Sequence, residues 1–299
     1  MQLAIFGLGR MGMQIAKRLH HNNFMVSAWN RSPEPRKEFE DFGGSSHETI
    51  EQAIKALTEE RRVFWVMLPS NTVETFIFEQ LMPFLRAGDI VIDGGNSFYK
   101  DSIRRGEQLK EKGIHFYDCG TSGGVWGLER GFAMMIGGPE SEWSYVEPIF
   151  QALSSGDNFG LLGKNGAGHF VKMVHNGIEY GMMEAIAEGY AVMQASDFNL
   201  NFKDVTRVYQ KGSVISSWLI DLTRNIFETE DIANTSGKID STGEGEWTVN
   251  AGKELGVDVR VIEESFKVRQ ESIDPENQNK FSNKIVALLR KQFGGHKVH

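Results

Sequence analysis

An α/β domain built on a doubly wound parallel sheet, followed by a domain made of helices alone, is the architecture that this 299-residue sequence predicts. Three observations carry that expectation. Short apolar runs alternate with longer amphipathic stretches up to residue 162, a glycine triplet stands directly behind the first run, and beyond the glycine-rich segment 163–168 the strand-like runs give way to helical periods. Alternation of this kind is the rhythm of βαβ units around a parallel sheet covered on both faces. The length exceeds what one small core needs and favours two domains, expected at 1–163 and 164–299.

Taken in order, the expected strands are "LAIFG" at 3, "FMVSAW" at 24, "VFWVML" at 63, "DIVIDGG" at 89, "IHFYDCG" at 114 and "FAMMIGG" at 132. Helices are expected over 168–196, 203–228, 246–255, 258–271 and 276–292, separated by turn-rich pieces such as "NTSGKIDSTGEG". No internal repeat or low-complexity tail interrupts the pattern.

Composition narrows the function classes. Hydrophobic residues at 40% and charged residues at 24% are ordinary for a soluble globular chain, and no apolar stretch approaches the roughly 18 to 20 residues that span a bilayer. Met1-Gln2 lacks the basic start of a signal peptide, so a cytoplasmic protein is expected. Cys119 is the single cysteine, and His20-His21 are neighbours that point apart, so neither a disulfide nor a metal site is expected. A net charge of -8 argues against nucleic-acid binding, and an anionic ligand must find a local basic pocket.

Gly7-x-Gly9-x-x-Gly12 follows a strand and opens a helix, the context that a Rossmann-type dinucleotide site requires. The first glycine permits the turn, the second lets a pyrophosphate approach the backbone, and the third lets helix and strand pack closely. A glycine triplet alone also suits a plain strand-turn-helix. Leu8, Arg10 and Met11 lie between these glycines, and Met67, Leu68, Pro69 and Asn96 complete the expected cofactor lining. At the end of the second strand, where NAD enzymes usually present a carboxylate to the ribose, this chain has Asn30-Arg31-Ser32. Arg31 can pair with a 2′-phosphate that a carboxylate would repel, which favours NADP and leaves NAD possible.

The segment "GHFVKMVHNGIEYGMMEA" places Lys172, His175, Asn176, Glu179 and Tyr180 on one helix face, at about 100° per residue. A second stripe, Val171, Val174, Ile178, Met182 and Ala185, is expected to bury against the core. A solvated face with a Lys/Glu pair is the plainer reading of the first stripe. Two loops weigh against it: Asn96-Ser97 in "DGGNSFYKD" and Ser122-Gly123-Gly124 in "CGTSGGVWG" both follow strands, at the edge where doubly wound sheets bind ligands. Backbone N–H groups in the second loop could hold a carboxylate, although both loops also have ordinary turn composition.

With "IDGGNS", "SGG" and "GAGHFVKMVHNGIEY" in view, the chain resembles the decarboxylating 6-phosphogluconate dehydrogenases in their short form, within the wider β-hydroxyacid dehydrogenases. The resemblance covers essentially the whole chain. It implies oxidative decarboxylation of 6-phospho-D-gluconate to D-ribulose 5-phosphate and CO2, with hydride transfer to NADP. Lys172 would take the C3 hydroxyl proton, and Glu179 would protonate C1 of the enediol left after CO2 departs, giving ribulose 5-phosphate. Asn96, Ser122, Gly123, Gly124, His175 and Asn176 would orient the sugar acid, Tyr180 would reach its phosphate, and Arg269 would bind that phosphate. The tail "LLRKQFGGHKVH" resembles a segment whose arginine and histidine, here Arg290 and His296, enter a neighbouring subunit's site, which implies a homodimer or homotetramer.

The sequence departs from the family in "STGEGEWTV", where Thr242 and Glu244 stand in place of a basic residue and a threonine, and Glu246 replaces a cation before Trp247. A carboxylate beside a dianionic phosphate is unfavourable unless it is paired or points away. Two other functions stay open on the residues. A non-decarboxylating β-hydroxyacid or sugar-acid dehydrogenase would share the glycine fingerprint, and a non-catalytic NADP(H)-sensing protein would need no Lys172-Glu179 stripe.

Overall fold

Within the first part of the chain, eight strands form one sheet. They are β1 (Gln2–Phe6), β2 (Met25–Trp29), β3 (Ser45–His47), β4 (Val63–Val66), β5 (Ile90–Asp93), β6 (His115–Ser122), β7 (Ala133–Gly137) and β8 (Phe159–Gly163). Their spatial order is β3-β2-β1-β4-β5-β6-β7-β8. The computed structural model describes residues 1–240 and 243–298. The contacts divide the chain into two compact units, Met1–Lys172 and Met173–His299.

Alternate residues of the buried strands enter different cores, as a pleated strand requires. Leu3, Ile5, Trp65 and Ile92 pack on one side of the sheet, and Ala4, Phe6, Phe64 and Val91 on the other. Covered on both faces, these strands read as unbroken apolar runs instead of alternating ones. The helices of this unit are α1 (Arg10–His21), α2 (Pro33–Asp41), α3 (Ile50–Lys55), α4 (Ser70–Thr75), α5 (Tyr99–Lys110), α6 (Gly127–Arg130) and α7 (Trp143–Leu153).

The sheet is not parallel throughout. Strands β1 to β6 pair in parallel, β7 runs antiparallel to β6, and β8 is parallel to β7. The connection 123–132 carries only a 3-10 turn at Gly124–Trp126 and the single turn α6. A parallel crossover needs about a dozen residues or more, so the chain folds back instead. The two strands that the apolar pattern did not predict are both edges: β3 is the polar "SSH", and β8 lies in "FGLLG", at the segment where the strand-like runs were expected to cease.

The second unit is built from α8 (Ala167–Gln194), which begins in the first unit, and from α9 (Phe202–Gln210), α10 (Trp218–Thr229), α11 (Glu244–Leu255), α12 (Arg260–Glu271) and α13 (Phe281–Gly294). The single helix expected at 203–228 is two. Lys211 leaves the helix in an extended conformation, and Ser217 caps α10 by accepting from the Ile220 N–H. The core joins Tyr180, Met183 and Ala187 of α8 with Leu222 and Ile226 of α10, Phe266 of α12 and Ile285 to Leu289 of α13. No helix among the described residues is long and apolar enough to cross a membrane.

Helix α8 turns the opposite way from the expected one. Val171, Ile178 and Met182 are 36%, 52% and 41% exposed, whereas Lys172, Asn176, Tyr180 and Glu184 are buried. Close approach explains the choice of face. A Cβ at Gly168 would overlap the carbonyls of Asp118 and Met135, and one at Gly177 would collide with Thr248. The helix therefore buries the side that its glycines leave flat.

Candidate active site

In the first unit the chain leaves β1 through Gly7, whose φ of +105° strongly favours glycine. A Cβ there would overlap the Met67 carbonyl, and one at Gly12 would overlap the Gly7 carbonyl. Gly9 differs, with no atom within 4 Å of where its Cβ would stand. It caps α1 without a side-chain hydrogen bond, and the first turn of α1 contains no acidic residue. The result is an open helix N-terminus with a bare backbone in front of it, which fits the pyrophosphate of a dinucleotide.

Asn30 braces this loop: its Oδ1 accepts the Leu8 N–H at 3.0 Å, and its Nδ2 donates to the Ser32 carbonyl at 3.2 Å. Leu8 is buried with its N–H so occupied, and it supports the cradle instead of lining it. Arg31 and Ser32 are exposed at the end of β2, as are Arg10 at the start of α1 and Pro69 before α4, while Met11, Met67 and Leu68 are half-buried.

Two buried aspartates, Asp93 at the end of β5 and Asp118 within β6, shape the next segments. Asp93 Oδ1 accepts the Gly95 N–H at 3.1 Å, and its Oδ2 accepts from Ser97 Oγ at 2.7 Å and from Arg105 at 3.1 Å. Ser97 is thus turned inward, and Asn96 is left exposed between these anchors. Asp118, fully buried in β6, accepts the Gly166 N–H at 2.6 Å and the His169 N–H at 2.8 Å, tying the start of α8 to the sheet. Burial raises its pKa, and the charge of His169 and these two N–H groups oppose the rise. His169 pairs through Nδ1 with Ser102 Oγ at 2.7 Å.

Lys172 is 8% exposed and lies against β6: a Cβ at Gly120 would overlap the lysine's own Cβ. Ser122, Gly123 and Gly124 follow two residues later, half-buried, with Gly123 at φ +131°. Sequence reasoning missed Asp93, Asp118, Arg105 and His169. The available signal was an acid closing each of two apolar runs, in "VIDGG" and "FYDCG".

In the second unit the polar stripe continues along α8. His175 Nδ1 lies 2.9 Å from Asn176 Oδ1 and 4.0 Å from Glu179 Oε2. Tyr180 is buried, and its hydroxyl has no hydrogen-bond partner among the described residues. The Arg269 guanidinium stacks on the Tyr180 ring, 3.3 Å from its centroid. Arg269 and Arg290 are 3% and 6% exposed, and neither forms an ion pair with a described carboxylate. Arg269 is held down at about 10, chiefly by burial and also by the charge of Arg290, against the opposing pull of Tyr180 and Glu179. Burial likewise lowers Arg290, against Tyr180, Asp240, Glu179 and Glu244. Two buried cations that repel each other, one of them stacked on the ring of a buried tyrosine, form a site suited to an anion.

Glu246 is exposed on α11, whereas Glu244 is buried within electrostatic reach of Arg290. Thr242 lies outside the described residues. Glu184, one turn beyond Tyr180, is 7% exposed, and burial with Glu188 nearby pushes its carboxyl up to about 7 against the pull of Arg269. His296 stands edge-on to Phe293 of its own chain, ring centroids 6.4 Å apart. No group of three or more His, Cys, Asp or Glu residues that could hold a metal occurs among the described residues.

A family model described as the NAD binding domain of 6-phosphogluconate dehydrogenase matches residues 2–164, and one described as the C-terminal domain of 6-phosphogluconate dehydrogenase matches residues 168–297. The chain belongs to the 6-phosphogluconate dehydrogenase family. That family consists of NAD(P)-dependent oxidoreductases. An NAD(+)-dependent, decarboxylating 6-phosphogluconate dehydrogenase of Haloferax volcanii is 35% identical over all of this chain and 98% of its own length. The NADP(+)-dependent decarboxylating enzyme of Bacillus subtilis is also 35% identical, over 90% of this chain but 60% of its own length. A structure of the Plasmodium falciparum 6-phosphogluconate dehydrogenase, determined with its cofactor NADP+ and with its substrate 6-phosphogluconate, covers 97% of this chain and 70% of that one, with a TM-score of 0.83 and 26% identity.

Proposed function

We propose that this chain oxidises 6-phospho-D-gluconate at C3 with NADP and releases CO2, giving D-ribulose 5-phosphate. The observation that carries the reading is the arginine pair, Arg269 and Arg290, buried without a carboxylate partner beside Tyr180, on the helix that also bears Lys172 and Glu179. A phosphoryl group supplies acceptors to two guanidiniums that make no ion pair with a described carboxylate.

The cofactor, held at Gly9 and the open end of α1, supplies a hydride acceptor. Lys172 removes the C3 hydroxyl proton as the C3 carbonyl forms, from its buried place against Gly120. The same lysine, now an ammonium, donates to the C3 oxygen as the bond to the carboxylate breaks and CO2 leaves an enediol. Glu179, two helical turns along α8, delivers a proton to the carbon that was C2 of the acid and becomes C1 of ribulose 5-phosphate, and the hydroxyl on the former C3 returns its proton to Lys172 as the ketone forms. Asn96, the Ser122-Gly123-Gly124 loop, His175 and Asn176 orient the sugar acid.

Both cofactor types occur among the relatives, so the preference for NADP rests on this chain's Arg31 and on the absence of a carboxylate at Asn30-Arg31-Ser32. A homo-oligomer is proposed from α8, whose exposed Val171, Ile178 and Met182 form an apolar stripe that a second copy would cover. Met182→Asp should lower the sedimenting mass, and an unchanged mass would place the contact elsewhere.

Substrate charge tests the anion site. Initial rates with 6-phosphogluconate should exceed those with gluconate by a factor of about 100 or more in kcat/KM, the weight of a charge-assisted clamp. Equal rates would remove the phosphate assignment.

A further inference from the structure

The face of α5 that turns away from solvent carries a cation. Its buried residues are Ser102, Arg105, Gly106 and Leu109, at the i, i+3, i+4, i+7 spacing of one helix side, and Arg105 is 2% exposed. A buried ion pair often adds no stability over well-packed apolar side chains, so a guanidinium at this place calls for a reason other than packing.

Its two arms end on different elements. Nη1 donates to Asp93 Oδ2 at 3.1 Å, and Nε donates to Glu74 Oε2 at 2.8 Å, the oxygen that Arg104 also takes at 2.9 Å. Asp93 passes the contact on: its Oδ1 accepts the Gly95 N–H and its Oδ2 the Ser97 hydroxyl, so one carboxylate holds both neighbours of Asn96. Of these three donors on Asp93, Arg105 alone carries charge. Glu74 belongs to α4, which begins directly after Pro69. The two loops also touch, since a Cβ on Gly95 would stand 2.8 Å from the Leu68 carbonyl oxygen. All of these residues lie within the unit Met1–Lys172.

We propose that Arg105 is a positioning residue for the reaction. Through Asp93 it fixes the direction in which Asn96 is presented, and through Glu74 it keeps that loop in register with residues 67–69. The planar guanidinium sets both directions at once, which a single ammonium cannot do. The effect on turnover rests on the role proposed for Asn96, but the contacts themselves do not.

A double-mutant cycle tests the assignment. Arg105→Lys keeps the charge and removes the fork. In a chain with Asn96 it should lower kcat/KM for 6-phosphogluconate by about 10- to 100-fold, and in an Asn96→Ala chain by less than about twofold, because the side chain it positions is already gone. Equal losses in the two backgrounds would overturn the assignment, since a merely structural arginine weakens both chains alike. Hydrogen exchange read by mass spectrometry tests the same loop without substrate. Amides of 94–98 should exchange about tenfold faster in Arg105→Lys, with those of 2–21 unchanged. Exchange that stays the same at 94–98, or accelerates equally in both segments, would contradict the proposal. A wild type that does not oxidise 6-phosphogluconate refutes the reaction alone, and the exchange experiment then decides. Arg105→Gln, whose amide cannot span both carboxylates, replaces the lysine variant if that chain does not fold.

Discussion

A methyl group on Gly120 would occupy the place of the Lys172 β-carbon, so the residue proposed as base is seated by the absence of a side chain on the strand behind it. Charge acts with similar economy at Arg31. No acidic side chain stands at Asn30-Arg31-Ser32, and the guanidinium is exposed where a 2′-phosphate would lie. Arg31→Ala should raise KM for NADP about tenfold or more while changing KM for NAD by less than about twofold. Parallel changes in steady-state kinetics with the two cofactors would contradict the assignment. Glu184 gives a stability prediction with a definite sign. Its carboxyl, normally near 4.5, is pushed up to about 7, so the folded chain binds more protons than the unfolded one between those values, and stability falls as pH rises through that window. Glu184→Gln removes this cost above pH 7, on the order of 3 kcal/mol, and changes little below pH 4.5. Thermal unfolding at pH 8 and at pH 4 checks both halves, and a gain equal at the two pH values would exclude ionisation as the cause.

Helix α8 is held at its start by Asp118, a residue from another element altogether. Its two carboxylate oxygens take the N–H groups of Gly166 and His169, while Gly120, two residues along the same strand, receives Lys172. One strand thereby fixes both where the helix begins and how close the lysine approaches. Asp118→Asn offers only one acceptor oxygen and turns an amide N–H toward a backbone N–H, which should cost about 1 to 3 kcal/mol of stability. Because the lysine shifts with the helix, kcat should fall by about 10- to 100-fold with KM for NADP little changed. Wild-type kcat in a folded Asp118→Asn variant would show that the anchor does not set the lysine's position. The helix period alone correctly put Lys172, His175, Asn176, Glu179 and Tyr180 on one side, but not which side is buried. Both flanks of α8 carry apolar residues, and the decision belongs to glycine contacts with β6, β7 and α11 that lie far apart in sequence.

At the scale of the chain, doubly wound order was legible because strands buried on both faces are apolar without interruption, as in "LAIFG" and "VFWVML". The edge strand β3 was not, since "SSH" is polar and pairs with one neighbour only. The reversal at β7 depends on the length of a connection, which apolar periodicity does not record. The glycine turn after β1 and the run of polar residues along α8 are local in sequence and legible in it. The aspartate anchors and the meeting of Arg269 with Arg290 at Tyr180 come from tertiary packing and required the structure. The central claim joins oxidation to loss of carbon: one chain provides a base at Lys172 and an acid at Glu179 for a single substrate. It is tested most directly by supplying 6-phosphogluconate labelled at C1 with NADP and measuring NADPH and released label together. Equal molar amounts throughout the progress curve are predicted, whereas NADPH formed without labelled CO2 would contradict the account.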